Sequence, residues 1–286
     1  MREYENLAYI DLQKTGSGTI KKVLATVLDE ELVRKNLRGV LDDFDRSKTC
    51  FVSVREPLSL YISLFNFGVG SQRGGFYRAL GRRGRDDLLV ATREGFERWL
   101  DFVLDPRNAA TVHPEYGNGP CDAIGLLSFR LLSRSVPKAL PRMRKEKFQE
   151  PDQLRELLQK ALFNDYVRLE NIGGDLFALF ERNSSRIQLR RPLTTAEALM
   201  ADIPFVNSSV KISDLKPDTV SAALRKRVRE REWLFYETFG YDKDPKGQPP
   251  KSLSPDADAI GISDEATRLG QKGGRRRRRK ERRASR

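Results

Sequence analysis

A chain of 286 residues, 38% apolar and one third charged, has room for one large α/β domain and a tail. Its apolar runs last only a few residues, which excludes a membrane-crossing helix, and the opening MREYENLAYIDL carries acids where a secretory leader would be basic. Two cysteines, Cys50 and Cys121, and one histidine, His113, exclude a disulfide framework and a His/Cys metal cluster. The net charge of +13 is concentrated at one end. Ten Lys or Arg and one Glu lie between Lys272 and Arg286, leaving about +4 on the rest, within the ordinary range for solubility.

LAYIDL, residues 7–12, reads as a buried strand. After a Gly-Ser-Gly turn, Ile20, Val23, Leu24, Val27 and Leu28 recur at helical spacing. Residues 29–48 are charged and carry no clear period, and TCFVSV is the next strand candidate. Pro57 suits a first helical turn, so a helix is expected to about Phe67. The Gly- and Arg-rich stretch 68–87 is expected to be a mobile loop. Helices are expected over 95–104, 126–134 and 152–163, with a loop over 105–125. DYVRLENI reads as a strand, GGDLFALFERN as a helix, and Pro217 to about Phe239 as one long helix. Alternating strands and helices predict a parallel sheet covered on both faces. From Asp242 the chain turns polar and is expected to be disordered, giving a domain over 1–241 and a basic tail over 242–286.

The turn DLQKTGSGT sits where a strand meets a helix N-terminus, whose first N–H groups have no backbone partner and whose dipole favours an anion. Gly16 and Gly18 let the backbone curl, Thr15, Ser17 and Thr19 add hydroxyls, and Lys14 adds a charge. A Walker A loop does not fit, because Lys14 precedes the turn and residues 8–13 hold no glycine; an ATPase or kinase is disfavoured. In VREPLSLYIS, Arg55 stands at a strand's end, where its guanidinium can fork onto a phosphate, and Ser63 lies about two helical turns beyond. A plain strand-helix connection and an ordinary surface arginine are the bland alternatives.

Together, QKTGSGT and VREPLSLYIS resemble the two signature segments of sulfotransferases that use 3′-phosphoadenosine 5′-phosphosulfate (PAPS), closest to the carbohydrate enzymes such as heparan sulfate 2-O- and 6-O-sulfotransferases. RLENIGGDLFALFE and FVNSSVKISDL…WLFYETFGYD resemble later parts of that family, so the likeness runs from residue 7 to about 242, loosely over 68–150. The resemblance implies a P-loop-like, three-layer α/β/α fold with a central, mainly parallel sheet. It implies that Lys14, Thr15, Gly16, Ser17, Gly18 and Thr19 hold the 5′-phosphosulfate, and that Arg55 and Ser63 hold the 3′-phosphate. The implied reaction moves a sulfuryl group to an acceptor hydroxyl of a carbohydrate, an acidic polysaccharide among the candidates, and requires no metal. Small-molecule, lipid and tyrosine acceptors stay open. With no signal peptide or membrane anchor read in the sequence, the location is expected to be cytoplasmic or is left unknown, and is the Golgi lumen if an upstream anchor is missing. A non-catalytic nucleotide- or polyanion-binding protein on the same fold is the alternative.

The family's carbohydrate enzymes mostly carry a His or Glu base between the two phosphate segments, and this sequence departs from that: residues 20–54 hold no histidine. His113, in TVHPEYGNGP, is the first choice of base, followed by Asp42, Asp43 and Asp45, with Glu115 a further option and Asp29, Glu30 and Glu31 also in the interval. Arg73, Arg78, Arg82, Arg83 and Arg85, and again Arg142, Arg144, Lys145 and Lys147, could grip an acidic acceptor or be solvated charge. The run RRRRRKERR could contact nucleic acid or another polyanion.

Overall fold

The computed structural model describes residues 1–36, 43–71, 75–146, 148, 150–201, 203, 212 and 214–241. Strands β1 (Arg2–Tyr4) and β2 (Leu7–Ile10) pair antiparallel, Arg2 opposite Tyr9. Helix α1 (Ser17–Val27) follows, then β3 (Leu32–Lys35), antiparallel to β1, and β4 (Thr49–Val54), parallel to β2. Next come α2 (Pro57–Ser71), α3 (Gly75–Gly81), α4 (Arg93–Leu104), α5 (Ala109–Val112), α6 (Pro114–Gly117), α7 (Leu126–Ser135), α8 (Ala139–Lys145) and α9 (Pro151–Leu158). Strand β5 (Asp165–Arg168) returns parallel to β4, and α10 (Ile172–Arg182), α11 (Ala196–Met200), α12 (Ala222–Arg231) and α13 (Trp233–Phe239) complete the described chain.

The sheet order is β3-β1-β2-β4-β5. Its β2, β4 and β5 are parallel as expected, while β1 and β3 make it mixed. The reason is local: only Glu5 and Asn6 join β1 to β2, enough for a hairpin and far too few for a parallel crossover. Strand β3 lay hidden in the charged stretch because it is an edge, with Leu32 and Val33 exposed.

Successive residues of a strand point to opposite faces. Leu7, Tyr9, Phe51 and Val167 therefore pack with Ile20, Val23 and Leu24 of α1 and Leu176 and Leu179 of α10. Ala8, Ile10, Cys50, Val52 and Val54 pack on the other face with Tyr61 and Phe65 of α2, Trp99 of α4, Phe129 of α7 and Phe235 of α13. Each such large side chain, fully buried, contributes about 1.5–3 kcal/mol before entropy is counted.

Several expected elements change form. DYVRLENI stops being a strand at Arg168, whose backbone N–H donates to Asp175 Oδ2 at 2.9 Å, and LEN becomes a 3₁₀ turn leading into α10. The long helix from Pro217 divides into a 3₁₀ turn, α12 and α13, and the break falls at Glu232, whose side chain turns inward to cap α7. Within the expected loops, 75–81 forms α3 and 109–117 forms α5 and α6. No helix among the described residues is long and apolar enough to cross a membrane. The tail over 242–286, Asp42, Arg73, Lys147 and most of FVNSSVKISDL lie outside the described residues.

Candidate functional site

The carboxyl ends of β2, β4 and β5 open on one edge of the sheet, the position where open α/β sheets bind ligands. After β2 the chain turns through Lys14 at φ 70° and Gly16 at φ 84°, both left-handed. A Cβ on Gly16 would meet Leu169 Cδ1 at 2.6 Å, so this position admits only glycine without rearrangement. Helix α1 then starts at Ser17 with no side-chain cap, leaving its first N–H groups to an outside partner. The Thr15 hydroxyl faces inward: it donates to the Leu12 carbonyl at 2.6 Å and lies 2.6 Å from Ser53 Oγ, which in turn meets Tyr9 OH at 2.8 Å. Thr15 therefore holds the turn on the sheet by its side chain, and only its backbone is left to face an anion.

Beside the turn lies a cavity of about 430 Å³, within the range of small-molecule sites. Lys14, Ser17 and Asp11 line it together with His113 and the α7 residues Arg130 and Arg134. Lys14 Nζ sits 4.5 Å from the centre of the Phe67 ring. Burial and then the nearby Arg55 hold the Lys14 pKa below its ordinary value. Asp11 forms an ion pair with Lys21.

His113 is half-buried against Phe129, ring centres 5.6 Å apart, and its Nδ1 is buried with no hydrogen-bond partner. Burial, and then Arg130, push its pKa below the ordinary histidine value against the pull of Glu115. Burial thus favours the neutral imidazole over the imidazolium, whose Nδ1–H would find no acceptor among the described residues.

Arg55 follows the last residue of β4, and its guanidinium makes no hydrogen bond or ion pair among the described residues. Burial lowers its pKa, while Glu170 and Glu56 pull the other way. Those two carboxylates are themselves engaged. Glu56 accepts from the N–H groups of Leu58 and Ser59 at the start of α2, and from Tyr236 OH at 2.7 Å. Glu170 accepts from Glu56 N at 2.9 Å and from Tyr241 OH at 3.1 Å. The segments VREP, RLEN and YETFGY, far apart in the chain, are thus tied together around Arg55.

The structure brings Lys14, Ser17 and His113 to one cavity; Arg55 adjoins it through Lys14, and Ser63 is half-buried on α2 without lining it. Gly18 is exposed and Thr19 is buried in α1. Four of the other base candidates are engaged elsewhere. Glu115 pairs with Arg144, Asp43 with Arg34 at 2.8 Å, Asp45 accepts from Ser47 N at 2.9 Å, and Glu30 from Asn6 and Gln188. Of the basic groups, Arg85 pairs with Asp87 and Arg142 with Glu146, leaving Arg78, Arg82 and Arg83 exposed. Sequence reasoning missed Asp11, Arg130 and Arg134. The four-residue spacing of the two arginines in LSFRLLSRS puts them on one helix face, but no sequence signal showed that this face meets the turn.

No group of three His, Cys, Asp or Glu side chains that could hold a metal ion occurs among the described residues. Compared with family models, curated proteins and solved structures, the chain has no significant match.

Proposed function

We propose that the protein is a sulfotransferase that moves a sulfuryl group from PAPS to an acceptor hydroxyl, with a carbohydrate as the first acceptor class. The observation that carries this reading is an uncapped helix N-terminus, Lys14 and His113 lining one cavity, with Arg55, whose guanidinium has no bond among the described residues, acting on Lys14. The strand-turn-helix unit at the edge of parallel strands also suits the P-loop-like fold that the resemblance implies.

When bound, the donor supplies the sulfuryl group and a leaving phosphate. Lys14, Ser17 and the first amides of α1 would hold the 5′ end, where negative charge grows as the leaving group departs. Arg55 would fork onto the 3′-phosphate, aided by Ser63, and that phosphate is what distinguishes PAPS from ATP. His113 would take the proton of the acceptor hydroxyl as its oxygen bonds to sulfur, while the bond from sulfur to the 5′-phosphate oxygen breaks and its electron pair leaves with adenosine 3′,5′-bisphosphate. Residues around Arg55 are fixed by Glu56 and Glu170, which aim the strand's end without neutralising the guanidinium by direct contact.

Calorimetric titration of adenosine 3′,5′-bisphosphate tests the reading, with ATP as control. Binding to the wild type, a loss of tenfold or more in Arg55→Ala, and weak binding of ATP are expected. Equal binding of ATP, or no effect of Arg55→Ala, would defeat it.

A further inference from the structure

Arg130 and Arg134 stand four residues apart on α7 and line the same cavity as Lys14 and Ser17. Arg130 is half-buried, and its guanidinium makes no hydrogen bond or ion pair among the described residues. The carboxylates nearby are already engaged. Glu232 accepts from Tyr61 OH, from the Leu127 and Ser128 N–H groups at 3.0 and 2.8 Å, and from Ser128 Oγ at 2.8 Å. Asp11 is held by Lys21. The charge of Glu232 acts on Arg130 from beyond hydrogen-bond contact, so burial still leaves the guanidinium's donors unsatisfied by a carboxylate among the described residues, a cost that an anionic ligand would offset.

Lys14, the α1 N-terminus and Arg55 are the groups assigned to the donor, and the α7 arginines lie outside that set. They also continue outward: a second cavity, of about 150 Å³, shares Asp11 and Arg134 and adds Lys35 and Arg2, whose Nε is buried without a partner.

We propose that Arg130 and Arg134 form a subsite for an anionic group, a carboxylate or a sulfate ester, carried by the acceptor itself. The proposal rests on the sulfotransferase reading of the same cavity. Arg130 supplies a planar fork for the anion, and Arg134 extends the positive wall toward the second cavity. An acceptor held there by its charge has its hydroxyl presented between His113 and Lys14.

The test uses the full chain saturated with adenosine 3′,5′-bisphosphate and three probes: glucuronate, glucose 6-sulfate and uncharged glucose. The wild type is expected to bind one or both charged sugars at least tenfold more tightly than glucose. Arg130→Gln should erase that difference, and Arg130→Lys should keep part of it, because the charge remains and the fork does not. Both variants should bind adenosine 3′,5′-bisphosphate within about twofold of wild type, which also shows that they are folded. Equal binding of all three sugars to the wild type overturns the subsite. So does loss of adenosine 3′,5′-bisphosphate binding in a folded Arg130→Gln, which would place Arg130 in the donor site instead. Failure of the wild type to bind adenosine 3′,5′-bisphosphate counts against the sulfotransferase reading alone. Preference for the charged sugars that depends on Arg130 would then still support the anion subsite.

Discussion

Helix α7 has two polar regions that differ in how they are satisfied. At its N-terminus, Glu232 is fully buried and meets four donors, from Tyr61, Leu127 and Ser128. Gly125 leaves space for this, since a Cβ there would lie 2.1 Å from Glu232 Oε1. Along the same helix, Arg130 has no such partner among the described residues, and the neighbouring His113 keeps a buried Nδ1 unpaired there. Buried polar groups normally find partners. A closed node is explained by the fold it holds together, whereas an open one beside a cavity is explained by what enters the cavity. The sheet edge repeats the contrast: Glu56 and Glu170 are closed by tyrosines and backbone, and Arg55 between them is open.

Substitutions should separate the two kinds of node. The largest effect is expected at the open one: His113→Gln should lower kcat by about 10²–10⁴-fold, the span typical for loss of a general base, while leaving the melting temperature nearly unchanged. In the wild type, kcat should fall as pH drops through a pKa below the ordinary histidine value, because His113 must be neutral to accept the proton. A flat profile would remove His113 from the reaction.

The closed node should respond in stability. Glu232→Ala strands four buried donors and should cost about 3–5 kcal/mol in a urea titration, comparable to breaking a buried ion pair. Tyr61→Phe, which removes one of those bonds, should cost about 1–2 kcal/mol. By contrast, Arg130→Met should be neutral or stabilising by about 1 kcal/mol, since it removes a desolvated charge that makes no hydrogen bond or ion pair among the described residues. A large loss of stability in Arg130→Met would mean that this node is structural after all.

The smallest expected effect lies at the far edge of the sheet. Burial alone would raise the Glu3 pKa, but hydrogen bonds from Arg34 and Lys48 outweigh it and hold it below the ordinary value. The unfolded chain therefore takes up this proton first as pH falls. The contribution of Glu3 to stability is present above the ordinary glutamate range and is lost as pH falls through the folded pKa. Glu3→Gln should flatten that part of the acid limb in a pH series of melts.

The strand-turn-helix unit at Lys14–Thr19 was legible because a buried strand, two glycines and a helical apolar stripe are all local signals. The closeness of Arg55 to the turn follows from β4 pairing beside β2, with Ile10 opposite Val52, and strand order is not encoded in local pattern. The α7 wall was not legible. Its position depends on Glu232, 104 residues beyond Ser128, reaching back to cap the helix, and no periodicity encodes a contact at that separation. For the same reason the break between α12 and α13 was missed: the local pattern favours one helix, and a tertiary bond overrides it. The short edge strand β3 carries too few apolar residues to register.

The most direct test of the account is a crystal structure of the full chain with adenosine 3′,5′-bisphosphate. The account predicts the 5′-phosphate on Lys14 and the amides at the start of α1, the 3′-phosphate on the Arg55 guanidinium, and His113 facing the position that sulfur would occupy. A nucleotide bound elsewhere, or bound with Arg55 turned away from the 3′-phosphate, would contradict it.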